Sequence, residues 1–333
     1  MSSNKTANSR ELTYSLAIRE GLHQAMALSD DVLVLGQLVD YQSGIFGTTT
    51  GLVEKFGPAR VQDFPVSEAT MTSVALGAAV AGLRPVIVHQ RLDFMLYSLD
   101  AIVNWLSLWY FKSDGKSRVP VTIRAITGKG WGQGPQHSKS LHAWFAHLPG
   151  LRVAMPATAY DAKGLLLESI FGENPSLIIE GRSLFSMKDA VPEAAYRLRY
   201  GQAAIREPGG DVTLVALGFM VPLALRVAQT LAQEGIGVEV VDPRTISPLD
   251  TETICQSAAK TRRLIVLDPA WRSVGVAAEI IATVSEQIGE QLRCNPLRVC
   301  LPDSHTPMSA SLEATYYPDE TKLVDIVRRM VQS

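Results

Sequence analysis

The chain has 333 residues, 47% hydrophobic and 19% charged, which is enough apolar material for a folded globular protein. Its length exceeds the roughly 250–300 residues at which one core usually suffices, so two domains are expected. A net charge of -2 and a pI near 6.3, with no basic stripe, exclude any electrostatic case for nucleic acid or an anionic membrane surface.

Cys255, Cys294 and Cys300 are odd in number and lack CxxC spacing, so neither a disulfide framework nor a zinc site is indicated. Residues 1–10 are polar and are expected to be flexible. No later run approaches about 18 uninterrupted apolar residues, and a soluble, cytoplasmic protein with no membrane partner is expected.

Taken in order, Ile18, Leu22, Ala25 and Met26 repeat at helical spacing within residues 11–28. VLVLG, Val32 to Gly36, reads as a wholly apolar strand, the signature of a parallel sheet covered on both faces. The Gly-, Ser- and Thr-rich stretch 40–50, with Tyr41 and Phe46, would then lie at the carboxyl edge of that sheet, where ligands gather in open α/β folds. In DFPVSEATMTSVALGAAVAG, residues 63–82, Met71, Val74, Ala75, Ala78 and Ala79 predict a helix begun by a Ser67 cap and ended by Gly82. Glu68 is the one acid entering this apolar segment. Taken alone it is explained by the helix dipole, a gain of roughly 0.3–1 kcal/mol.

PVIVHQ, 85–90, is the next strand, followed by a loop through Arg91, Asp93 and Phe94 and a helix over about 98–111 carrying Trp105 and Trp109 as core or interface anchors. VTIRAI, 121–126, runs into TGKGWGQGPQHS, whose glycines forbid regular structure and let backbone approach a ligand. LRVAM, a helix over 160–171 and SLIIE complete a doubly wound first domain, 11–188. Residues 189–210 read as a linker, and a second α/β domain, 211–333, opens with DVTLVALG and continues through VEVVD and LIVLD.

The order VLVLG, FGPARVQDFPVSEAT, GAAVAGLRPV, DFMLYSLDAIVNW, GQGPQHS, AWFAHLPGLRVAMPATAYDAKGLL, VVDPRTISPLD and GVAAEI resembles the β subunit of the E1 component of 2-oxo acid dehydrogenases, in the transketolase-like thiamine diphosphate superfamily. The resemblance runs over nearly the whole chain. It implies two doubly wound α/β domains, a pyrimidine-binding domain followed by a transketolase C-terminal-like domain. It also implies an enzyme that decarboxylates a 2-oxo acid, pyruvate by default, and passes the acyl unit to lipoyl-E2. A split transketolase or carboligase, and a non-catalytic scaffold, stay open as alternatives.

The resemblance also assigns roles. Glu68 would hydrogen-bond the N1' nitrogen of the cofactor's aminopyrimidine, a contact that needs a carboxyl because it must hold a proton there. Phe94 would pack on that ring, where a core phenylalanine is the plain alternative. His137 would handle protons at the mouth, although a lone loop histidine is often only solvated; His142 and His147 read as structural or rim residues. A potassium site built from backbone carbonyls would fall on Val121, Ser169, Ile170, Gly172 and Asn174, with Gly172 standing where an aspartate is usual. No GDG motif is present, so the diphosphate and its Mg2+ would be held by an α subunit in an α2β2 heterotetramer. Two departures stand out. Gln37 replaces the acid of the family's LGEDV or LGEEV, and Arg91 and Asp93 make the pocket edge more polar.

Overall fold

The computed structural model describes residues 9–130 and 132–332; residues 1–8, most of the expected flexible start, lie outside the described residues. The chain divides into two compact units, Met1–Thr127 with Phe145–Tyr200, and Gly128–Trp144 with Gly201–Ser333. The glycine-rich segment therefore packs with the second unit, whereas the sequence order placed it inside the first domain. No described helix is long and apolar enough to cross a membrane.

The first unit contains β1 (Ser9–Thr13), β2 (Val32–Gly36), β3 (Val61–Asp63), β4 (Arg84–His89), β5 (Thr122–Thr127), β6 (Arg152–Ala154), β7 (Ser176–Gly181) and β8 (Lys188–Pro192). β6-β7-β5-β4-β2-β3 run parallel in that order. β5 and β7 are buried along their whole length, as continuous apolar strands covered by helices must be. Between these two strands Arg124, fully buried, donates Nε and Nη2 to the two carboxylate oxygens of Glu180 at 2.6 and 2.9 Å. The planar guanidinium fork matches the two carboxylate oxygens directly, so the pair ties the two strands together from inside the core.

The helices Tyr14–Leu28 and Ala159–Phe171 pack together over the sheet. The second of these is buried nearly all round, which needs its one cation satisfied: Lys163 Nζ reaches Glu20 Oε1 at 2.7 Å and the carbonyls of Pro192, Glu193 and Ala194. Much of the expected linker is consequently ordered. β8 pairs antiparallel with β1, Leu198 N–H donates to the Gly164 carbonyl at 3.1 Å, and Tyr196 stacks on Tyr160 with centroids 4.7 Å apart. A Cβ at Gly164 would come within 2.6 Å of Leu198, so glycine is what lets the segment lie down.

Residues 92–112, expected as the end of a loop followed by one helix over about 98–111, form four short helical pieces. Leu92–Met95 is α-helical, Leu96–Ser98 tightens to 3-10 geometry, Ala101–Leu106 widens to a π-helical turn, and Trp109–Lys112 resumes as α-helix. The widening is visible in Ser107 N–H donating to Ile102 O, five residues back, at 3.1 Å. Trp105 is exposed and Trp109 half-buried, so neither anchors the core.

The second unit holds β9 (Ala204–Glu207), β10 (Val212–Ala216), β11 (Val238–Asp242), β12 (Thr245–Ser247), β13 (Leu264–Trp271) and β14 (Leu297–Leu301). Its sheet runs β14-β13-β10-β11-β9, parallel except for β9, which is antiparallel to β11 at the edge. Thus β9 and all of β8 but Lys188 lie in the expected linker, a stretch in which one strand at most was expected.

Candidate active site

In a parallel sheet, each helix that follows a strand begins at the sheet's carboxyl edge. That rule places Glu68, at the start of the helix Glu68–Val80 after β3, on the same edge as Arg91 and Phe94 after β4 and Arg182 after β7. The helix buries Glu68, Met71, Thr72, Ala75 and Ala79, while Val74 of the expected stripe is 44% exposed.

Ser67 occupies the cap position, but its hydroxyl does not cap the helix. It donates instead to Thr70 Oγ1 at 2.7 Å. The helix ends at Val80, with Gly82 at φ +99° beyond it, in the left-handed conformation that suits glycine after a helix.

Glu68 is only 7% exposed, and no described residue hydrogen-bonds its carboxyl. Its position is fixed through the backbone: Thr72 Oγ1 donates to Ser98 Oγ at 2.8 Å, and Ser98 Oγ donates to the Glu68 carbonyl at 2.9 Å. Ser98 lies one turn beyond Phe94, whose ring is 37% exposed. Nothing in the linear sequence marks Ser98, since its partner lies thirty residues upstream.

Around this acid the edge is basic. Arg91 is buried, with Nη1 donating to Gln90 O at 2.9 Å, and Arg182 follows β7. Both guanidiniums face the Phe46 ring, at 5.3 and 4.7 Å from its centroid. Burial, then the neighbouring Arg182, lower the pKa of Arg91, while Asp93 pulls it back up. Sequence reading found Arg91 and Phe46 but missed Arg182; the signal was its place directly after the apolar run of β7. Gln37, where the family has an acid, is half-buried and accepts from Gln90 Nε2 at 3.4 Å through its own carbonyl. Beneath the edge His89 is fully buried, neither ring nitrogen has a partner among the described residues, and burial lowers its pKa to about 3.

His137 belongs to the second unit. Its Nδ1 lies 3.2 Å from Gln133 O, and its carbonyl accepts from Gly128 N–H at 3.1 Å, closing the glycine loop. A Cβ on Gly128 would collide with that carbonyl, so the closure requires glycine. Gly130 N–H donates to Glu313 Oε1 at 2.6 Å, and Lys129 Nζ lies 4.5 Å from the Tyr317 ring centroid. His142 has the structural place expected of it: Nε2 meets Asp268 Oδ1 at 2.9 Å, with both groups fully buried. Burial acts to raise the pKa of Asp268, but His142 and the N–H groups of Ala277 and Ala270 prevail and lower it.

The five residues assigned to potassium lie at the opposite, amino edge. Arg84, first residue of β4, donates Nη1 to the carbonyls of Ile170 and Gly172 at 3.0 and 2.8 Å and Nη2 to Glu173 Oε1 at 2.9 Å. Val121 O accepts from Ser176 N–H at 2.9 Å, and Asn174 O accepts from Ser176 Oγ at 3.3 Å. Ser169 Oγ donates to Leu165 O and meets the Tyr200 hydroxyl, both at 2.7 Å. An added cation about 4 Å from that guanidinium would meet a repulsion of about 4 kcal/mol at an effective dielectric near 20. Two of the five carbonyls assigned to potassium, those of Ile170 and Gly172, thus already face a protein cation. No spacing signal in the sequence links Arg84 to carbonyls 86 and 88 positions ahead.

The chain thus has two doubly wound α/β units with a buried acid at a helix N-terminus, and comparison gives the class to which they belong. Residues 10–188 match the pyrimidine binding domain of transketolase and residues 201–323 the transketolase C-terminal domain, so the chain belongs to the transketolase-like family. It is 38% identical, over 97% of its length and 98% of the relative's, to the acetoin:2,6-dichlorophenolindophenol oxidoreductase subunit beta of Cupriavidus necator. It is 35% identical, over 96% of its length and 98% of the relative's, to the pyruvate dehydrogenase E1 component subunit beta of Rickettsia felis. A solved structure described as a split gene transketolase, inactive beta4 tetramer, shares the fold with a TM-score of 0.77 and 23% identity, over 96% of this chain and 98% of that one.

Proposed function

We propose that this chain is the β subunit of a thiamine diphosphate-dependent 2-oxo acid dehydrogenase E1-type enzyme that decarboxylates a 2-oxo acid, pyruvate by default, and hands the acyl unit to lipoyl-E2. The observation that carries this reading is Glu68, a residue only 7% exposed at the carboxyl edge of the first sheet, whose carboxyl has no hydrogen-bond partner among the described residues. A carboxyl placed at the edge where ligands gather, with no protein partner, is free to hydrogen-bond a ligand.

Thiamine diphosphate, when bound, supplies the carbon nucleophile and electron sink that decarboxylation of a 2-oxo acid requires. Glu68 holds a proton toward the ring nitrogen N1', aimed by the Ser98 hydrogen bond to its own backbone. Phe94 offers a partly exposed aromatic face for packing on the pyrimidine. His137 takes part in proton handling from the glycine loop, where its Nδ1 contact to Gln133 O orients the ring. Arg91 and Arg182 give the edge positive charge suited to a substrate carboxylate. Residues 11–188 serve as the pyrimidine-binding domain and 211–333 as the C-terminal domain. An α subunit in an α2β2 assembly supplies the diphosphate and Mg2+ site, in keeping with the absence of a GDG motif here.

A second reading, cleavage of acetoin, is favoured by the higher identity to acetoin-oxidising relatives, 38% and 37% against 35% and 36% for pyruvate dehydrogenase subunits. The two arginines favour the acid, because acetoin carries no carboxylate. Turnover of pyruvate and of acetoin by the complex reconstituted with its α subunit, with lipoyl-E2 or dichlorophenolindophenol as acceptor, separates them. Glu68→Gln is expected to lower that turnover at least about 10²-fold. Its unfolding midpoint should not fall, since no intramolecular hydrogen bond is lost. Near-wild-type turnover would refute the assignment.

A further inference from the structure

We infer that Arg84 is a built-in cation that takes the place of the potassium ion implied by the family resemblance, making the first unit independent of monovalent salt. The helix Ala159–Phe171 ends at Gly172, and the last carbonyls of a helix have no intrahelical donors and carry the negative end of its dipole. Such a cluster of oxygens at a buried helix end needs positive charge or hydrogen-bond donors. Here one guanidinium nitrogen serves both Ile170 O and Gly172 O, at 3.0 and 2.8 Å, while the second reaches Glu173 at 2.9 Å.

The surrounding groups agree. The Asn174 side-chain amide, oriented with its oxygen toward Arg152, accepts from Nη2 at 2.9 Å and Nε at 3.3 Å of that second guanidinium. Gly172 supplies no side-chain carboxylate, although the family's usual aspartate at this place would add a negative oxygen. Arg84 is itself held in place by β4, whose Val86–His89 segment pairs with Thr122–Ala125 of β5. The cation is therefore covalently attached to the strand it ties to the helix end. It cannot be diluted away, as a bound ion can.

The test uses the full chain and reads thermal midpoints in potassium, sodium and choline chloride at equal ionic strength, a measurement independent of cofactor and of activity. Wild-type protein is expected to melt at one temperature in all three salts. Arg84→Ala is expected to melt lower in choline and to recover saturably in potassium, beyond sodium, by about 2–4 °C. Glu173→Gln removes only the exposed partner and should remain insensitive to the cation. Folding of Arg84→Ala only in potassium would count as the same gain. A variant insoluble in every salt leaves the wild-type comparison decisive. A saturable, potassium-specific rise in wild-type midpoint, or an Arg84→Ala protein that folds yet responds to the three salts as wild type does, would overturn the inference.

Discussion

Protonation of His89 should set a measurable part of the acid sensitivity of this fold. The ring is fully buried at the end of β4, both nitrogens lack partners among the described residues, and burial holds its pKa at about 3, against 6.5 in the unfolded chain. Because the folded value is the lower one, the unfolded chain takes up the proton first as pH falls. Stability from this group is therefore fully present above about pH 6.5 and is lost progressively down to about pH 3. With those two values the loss between pH 7.5 and pH 5 is about 2 kcal/mol, most of it below pH 6.5, where the slope approaches about 1.4 kcal/mol per pH unit for one proton. His89→Met removes the titrating group at similar volume. Urea unfolding of wild type and variant at both pH values should show the variant losing about 2 kcal/mol less. Equal losses in the two proteins would refute the reasoning.

Two further outcomes follow from buried contacts. Glu180→Gln leaves Arg124 charged and half-partnered between β5 and β7, and should lower unfolding free energy by about 3–5 kcal/mol in urea titrations, whereas an exposed pair such as Arg226 with Glu320 would change little. Ser98→Ala removes the hydrogen bond that fixes the Glu68 backbone; about 1 kcal/mol of stability should go with it, and the reconstituted complex should lose turnover without the full deficit of Glu68→Gln.

The sequence exposed the sheets more readily than the contacts between distant residues. VLVLG and SLIIE announce buried parallel strands because an unbroken apolar run has few other uses, and both are strands at those positions. Glu68 stood out because it was the sole acid entering an apolar helix, and it is indeed buried. Ser67 looked like a cap from residue type alone, yet its hydroxyl had a nearer acceptor in Thr70. The 98–111 stretch kept a helical period while its backbone shifted through three helical geometries, because periodicity does not record where a ladder slips by one residue. Arg84, Arg182 and Ser98 escaped notice for a common reason. Each acts on a group far away in the chain, and that proximity is created only when parallel strands are brought side by side.

The hydrogen bond from Ser98 to the Glu68 carbonyl has a consequence for evolvability. An acid whose main chain is anchored from a distant segment, with no side chain gripping its carboxyl, keeps its attachment point when its neighbours are exchanged. Mutations on the Arg91 and Phe94 side of the edge can then alter which molecule is accepted without moving that attachment point. Substrate range becomes free to drift around a fixed point in the backbone.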